Sequence, residues 1–321
     1  VRRYLAGRLL QSLVVVLLVT TASFFLAHLA PGGPFSVDDP RMSEQVRDQM
    51  RQQFGLDRPL PEQFARYVVN LTQGHLGYSF ARRIPVGEAL AAAIPRSLLL
   101  MAIAFTMSLA IGIVLGVYQA TRRGSLKERV LSGVALFFYS LPEFWLALMM
   151  LLLFAYWIPL FPAGGIIDPT IHDYLGFWGR LRDRLHHVVL PAVTYTLLTT
   201  AVIARYQRAA MLEVIELEFV RTARAKGLPE RAVVARHALR NALLPVITLV
   251  GLAMPTLVGG AVFVETVFSW PGMGQLSTDA INGRDYPLIA GVVAAGGIMV
   301  AAGSLLSDLL YAVADPRVRN G

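Results

Sequence analysis

Three carboxylates, Glu143, Glu265 and Asp308, stand in or beside long apolar runs, and the pair His186-His187 stands at the entrance to another. Ionisable groups inside a membrane are costly and mark ion or substrate paths or buried pairs. Glu265 and Asp308 lie near run ends, where structural pairing or interfacial placement is expected. Glu143 follows Pro142 in a run that proline should break, and it is the candidate for a group lining a pathway. Adjacent histidines do not share a helix face, so an interfacial role is expected over metal ligation. No Gly-x-x-x-x-Gly-Lys-Ser/Thr loop occurs, and Lys127 and Lys226 are the only lysines, so the chain cannot cradle ATP phosphates by that motif. His-Glu-x-x-His and Gly-x-Ser-x-Gly are absent, and no nucleophile and base can be paired. The expectation is a chain with no catalytic, cofactor-binding or metal-binding residues. With no cysteine there is no disulfide framework or thiolate site.

The elements that carry these groups follow from composition. The 321 residues are 55% hydrophobic and 16% charged, with a mean hydropathy of +0.55, too apolar for a soluble core. Six runs are long enough to cross the ~30 Å hydrocarbon layer as helices: Leu9 to Ala30, Leu98 to Ala120, Val130 to Ile158, Val188 to Ala204, Leu243 to Phe268 and Leu288 to Leu310. The fold class is therefore all-α and polytopic. The first run exceeds the ~7–15 residues of a signal-peptide core and is expected to be an uncleaved span. Residues 1–30 form the N-terminus and first span, 31–96 an external subdomain, 97–311 the remaining membrane core, and 312–321 the tail. The external subdomain reads equally as a cap or as a contact for a partner.

Charge sets the orientation. Arg2, Arg3, Arg8, Arg122, Arg123, Lys127, Arg129, the basic residues of Arg205 to Arg240, Arg317 and Arg319 all fall on one side, so both termini are expected in the cytoplasm. The net charge of +8 is what cytoplasmic loops carry, and nucleic acid is not an expected partner. Within 205–242 the sequence predicts a helix over Met211 to Lys226, a left-handed turn at Gly227, Pro229 in the first turn of a second helix, and a return to the membrane at Leu244-Pro245. Such order exceeds what a connector needs and points to a docking surface, or to an amphipathic hairpin lying on anionic lipid.

At Arg221-Thr222-Ala223-Arg224-Ala225-Lys226-Gly227 and His237-Ala238-Leu239-Arg240-Asn241-Ala242 the chain resembles the permease subunits of ATP-binding-cassette importers, in particular the B-type permease of dipeptide, oligopeptide and nickel systems. Against the general importer loop pattern, Ala223, Gly227 and Leu239 are kept. Arg221, Thr222, His237 and Arg240 replace Glu, Ala, Ile and Pro. Further matches are His28-Leu29-Ala30-Pro31-Gly32, Phe54 to Leu60, Gly74 to Ser79, Phe268 to Gly274 and Asp315 to Arg319. Pro31-Gly32-Gly33-Pro34 stands where the family commonly has Pro-Gly-Asp-Pro.

The resemblance implies a six-helix type I importer fold in a bacterial or archaeal cytoplasmic membrane. It implies pairing with a homologous second permease, two cytoplasmic ATPases carrying ATP and magnesium, and an external binding protein. The loop Arg221, Thr222, Ala223, Arg224, Ala225, Lys226 and Gly227, with His237, Leu239 and Arg240, would couple to one ATPase. Peptides are the implied substrate, with nickel, glutathione and oligosaccharides handled by permeases of similar sequence. The rival reading is a secondary transporter or channel driven by an ion gradient.

Overall fold

Unbroken apolar runs leave the backbone no hydrogen-bond partner in a bilayer except itself, and this chain satisfies it with helices. The computed structural model describes residues 2–29, 45, 48, 49, 52, 55–247, 249, 250, 253 and 261–314. Its elements begin with α1 (Arg2–Leu29), α2 (Leu60–Thr72) and α3 (Val86–Thr121). Next come α4 (Leu126–Ser140), α5 (Glu143–Leu151) with a π turn at Leu152–Trp157, and the long α6 (Phe177–Ile215). After the loop within 205–242 follow α10 (Val262–Val267), α11 (Met273–Asn282) and α12 (Tyr286–Ala314). Among the described residues α3, α6 and α12 are long and apolar enough to cross a membrane, and α4 with α5 adds a fourth if the bent pair is one span. α1 holds a shorter apolar stretch, Leu13–Leu29. Most of the predicted span Leu243 to Phe268 lies outside the described residues.

Three local signals shape the broken span. Gly124 takes φ +81 after α3, and Ser125 then caps α4 by accepting from the Glu128 N–H at 3.2 Å. Leu141 is pushed into extended backbone by Pro142, which caps α5, and the two helices meet at 101°. The break predicted at Pro142 is therefore a sharp turn.

Packing moves helix ends away from where hydropathy alone sets them. α3 starts at Val86, ahead of the predicted Leu98, and carries Pro95 inside it. The extension is held because Val86, Ala89, Leu90 and Ala93 bury against Met273, Leu276, Ala280 and Leu288. α6 likewise runs from Phe177 to Ile215, past both predicted ends at Val188 and Ala204. α3 packs along α6 and α1 along α12. At the α3–α6 seam Gly112 faces Ile203 and Gly116 faces Ala204 and Gln207, so close that a Cβ on Gly116 would sit 2.6 Å from the Gln207 Cβ.

The segment before α3 is pinned to the turn before α12. Ser79 donates to Asp285 Oδ2 at 2.6 Å, the Ala81 N–H donates to the same oxygen at 3.0 Å, and Arg82 pairs with Asp279 at 2.7 Å. These contacts tie the adjoining ends of α3, α11 and α12 together.

Candidate functional site: the loop within 205–242

Beyond Ile215 the chain turns at Glu216 and Leu217, then forms α7 (Glu218–Ala225). The single helix predicted over Met211 to Lys226 is in fact two: Met211 belongs to α6, and α7 starts afresh. The reason is burial. Met211 is fully buried beneath the loop, and a straight α6 would carry Val220 and Ala223 away from the core they join.

Gly227 takes φ +76 immediately after α7, where its N–H donates to the Arg224 carbonyl at 2.9 Å. This is the left-handed C′ position expected of it. Pro229 caps the next helix rather than entering it, and the chain continues through α8 (Glu230–Ala232), a π turn at Val233–Ala238, and α9 (Leu239–Ala242). Across the Gly227 turn, Arg224 clasps Glu230 with Nε at 3.1 Å and a terminal nitrogen at 2.8 Å. The hydrogen bond to Arg224 holds the Glu230 carboxyl below its usual range, and Glu230 raises Arg224 in return. Both groups face solvent, where such pairs are worth ~0–1 kcal/mol, so the clasp orients the turn more than it stabilises it.

Two faces result. Inward, Val220, Ala223, Val233, Ala238 and Ala242 bury against Ala120 of α3 and Ala210 and Met211 of α6, with Leu239 partly buried beside them. Outward, Arg221, Thr222, Arg224, Ala225, Lys226 and Gly227 are exposed, together with the large apolar side chains of Leu217, Phe219 and Leu228. Arg221 reaches Glu218 at 3.2 Å and Thr222 Oγ1 donates to the Glu218 carbonyl at 2.9 Å. His237 is half-buried, with its carbonyl accepting from Asn241 at 3.1 Å, and Arg240 is exposed. The ten predicted residues thus lie together in one structure, nine of them at least partly accessible on it and Ala223 seated in its core. Val220 and Val233, which anchor the loop, were not singled out by motif. Val220 stands one helical turn before Ala223, whereas Val233 lies beyond the Gly227 turn and carried no such signal.

Glu143 opens α5 at the bend, half-buried, with Oε1 unpartnered among the described residues. Glu265 is fully buried and paired, as expected of it. Its Oε1 accepts from Ser97 at 2.7 Å and its Oε2 from the Gly274 N–H at 2.7 Å. Asp308 lies within α12, and its side chain is outside the described residues. Of the histidine pair, His187 is buried, with Nδ1 2.8 Å from the Asp183 carbonyl oxygen, while His172 Nδ1 is 2.5 Å from Asp183 Oδ2. His186 Nε2 lies 2.7 Å from the Leu160 carbonyl oxygen. No group of three or more metal-ligating side chains occurs among the described residues.

Residues 112–320 match the family described as binding-protein-dependent transport system inner membrane component, and residues 1–101 match its N-terminal counterpart. The chain belongs to this permease family. The oligopeptide transport system permease protein AppB of Bacillus subtilis is 37% identical over 317 residues, covering 98% of each chain. The dipeptide transport system permease protein DppB of Escherichia coli K12 is 37% identical over 319 residues, covering 94% of each. The di/tripeptide permease DppB of Pseudomonas aeruginosa is 39% identical over 316 residues, covering 94% of each. In fold, the chain is similar to a chain of the MetNI methionine ABC transporter in inward-facing conformations, with TM-score 0.55 and 19% identity over 71% of this chain and 96% of that one. As a permease of this family the protein is a membrane transport subunit, not an enzyme, and the gradient-driven reading gives way to it.

Proposed function

We propose that this permease forms half of a translocation pathway for short peptides and couples it to a cytoplasmic ATPase through the exposed face of α7. It pairs with a homologous second permease, receives substrate from an external binding protein, and draws energy from two ATPases that hold ATP and magnesium. Six spans place both termini in the cytoplasm of a bacterial or archaeal cell, with the external subdomain 31–96 outside, the core 97–311 in lipid, and the tail 312–321 inside. The observation that carries the proposal is the split of the loop into a buried anchoring face and an exposed apolar face rimmed by Arg221, Arg224 and Lys226. A short helix so presented suits insertion into a groove on a partner. Closure of the ATPases then biases the permease between two states by the difference in their affinity for α7. The buried Oε1 of Glu143, without a hydrogen bond among the described residues at a helix break, supports a place along the pathway, since an unsatisfied carboxylate oxygen in lipid would be costly.

Reconstitution tests the proposal. Proteoliposomes holding the four-subunit complex and external binding protein should take up dipeptide only when ATP is enclosed, and liposomes holding this chain alone should take up none. Uptake by the isolated chain on a proton or sodium gradient would refute it, and uptake of nickel in place of dipeptide would refute the substrate. A second test addresses the turn. No atom lies within 4 Å of a Cβ on Gly227, so Gly227→Val strains only the backbone, by roughly 1–2 kcal/mol in the left-handed region. The variant complex should assemble, while its substrate-stimulated ATP hydrolysis falls to the basal rate. Unaltered stimulation would remove the turn from coupling.

A further inference from the structure

A cavity of about 500 Å³ opens between the loop-side ends of α3, α4 and α6, beside the seat of the cytoplasmic loop but outside it. Small-molecule sites run ~300–1,000 Å³. Both signs of charge line it: Arg205, Arg208 and Glu128, with Gln119, Tyr139 and Tyr206. Glu128 pairs with Arg208 at 3.2 Å, and Arg208 Nε takes no hydrogen bond among the described residues. Gln119 is 3% exposed as a residue and lines the same wall. A buried donor without a partner costs ~1–3 kcal/mol, so the Arg208 Nε favours a ligand that brings an acceptor, beside a wall that offers an amide and a carboxylate.

We infer that this cavity is a release-side binding site for a short peptide, an inference that rests on the peptide reading above. A peptide carries a carboxylate, an ammonium and peptide bonds. Arg205 and the open edge of Arg208 suit the carboxylate, and Glu128 suits the ammonium. Gln119 both donates to and accepts from a peptide bond, and the two tyrosines supply flat apolar walls. A purely anionic ligand would meet Glu128, and an apolar one would leave Arg208 Nε unpaired. The site also adjoins the coupling apparatus: Ala120 follows Gln119, and Ala210 lies close after Arg208, both within the core on which the loop rests. Occupancy and loop seating therefore act on the same two helices.

The test is equilibrium binding of radiolabelled alanyl-alanine to the detergent-solubilised four-subunit complex without its binding protein. Saturable binding is expected, with N-acetyl-alanyl-alanine amide a poor competitor. Gln119→Leu should weaken binding at least tenfold, about 1.4 kcal/mol. Arg205 is exposed, so Arg205→Gln tests the site without disturbing the core; it should weaken alanyl-alanine several-fold and leave alanyl-alanine amide unchanged. Absence of binding, equal affinity in both variants, or displacement by phosphatidylethanolamine would overturn the inference. If binding fails while proteoliposomes still import dipeptide, the site alone is wrong. If dipeptide is not imported at all, the peptide reading has failed.

Discussion

Glu265→Ala is expected to abolish accumulation of the folded complex or cut its transport by at least tenfold. The carboxylate is the fastening point of the turn between α10 and α11. Ser97 of α3 donates to one oxygen, the Gly274 N–H at the start of α11 to the other, and the Met273 N–H closes the ring on Ser97 at 2.7 Å. Trp270 is buried in the same turn and donates from Nε1 to the Arg96 carbonyl at 3.0 Å. Removing the side chain orphans the Ser97 hydroxyl proton and the Gly274 N–H, at roughly 1–3 kcal/mol each. Against a typical margin of ~5–15 kcal/mol this is a large loss. Crowding explains why the turn has no slack: a Cβ on Gly272 would lie 2.4 Å from Ser97 Oγ and 2.5 Å from Glu265 Oε2. Glu265→Gln keeps one acceptor and should fall between wild type and alanine in thermal stability of the purified complex. An alanine variant as stable and active as wild type would show the cluster to be dispensable.

That cluster marks where the sequence was readable and where it was not. The residues Phe268 to Gly274 were visible as a motif, yet nothing in their spacing says that Glu265 and Ser97 meet beneath them. Such a contact joins positions 168 apart and exists only once α3 and α10 are packed. Local rules did better. The Pro142 break and the left-handed Gly227 depend on a few neighbouring residues, and each appears where backbone preference puts it. Helix ends at Val86 and Ile215 escaped a hydropathy reading because burial against other helices, not lipid, carries them past the apolar run, whereas the start of α6 at Phe177 and Trp178 is exposed. The loop within 205–242 lies between these cases. Its exposed residues are grouped by motif, but the division of the first predicted helix at Glu216 and Leu217 follows from the core formed with α3 and α6.

The α3–α6 seam gives the second large effect, and it links membrane packing to the loop. Gly116→Val should prevent recovery of a monodisperse complex, because the added Cβ would stand 2.7 Å from the Ala204 carbonyl oxygen and 2.9 Å from the Arg208 nitrogen as well as against Gln207. Backbone atoms cannot swing aside as a flexible side chain can, so the helices must separate. Overpacking of a tight core costs ~1–3 kcal/mol and more where no rotamer relieves it. Gly112, one turn earlier, meets Ile203 at 2.7 Å, so the two glycines form one line of close approach, the small-xxx-small arrangement by which membrane helices pack. Separation at Gly116 would also spread Ala120 from Ala210 and Met211, the floor beneath Val220 and Ala223. Any complex that survives should therefore lose substrate-stimulated ATP hydrolysis along with transport. Gly133→Ala in α4 is the matched control: no atom lies within 4 Å of its Cβ, and alanine favours a helix over glycine by ~0.5–1 kcal/mol. If Gly116→Val elutes and transports like Gly133→Ala, close approach at the seam does not govern this permease. If it fails where Gly133→Ala succeeds, the path from helix packing to loop geometry is a physical one.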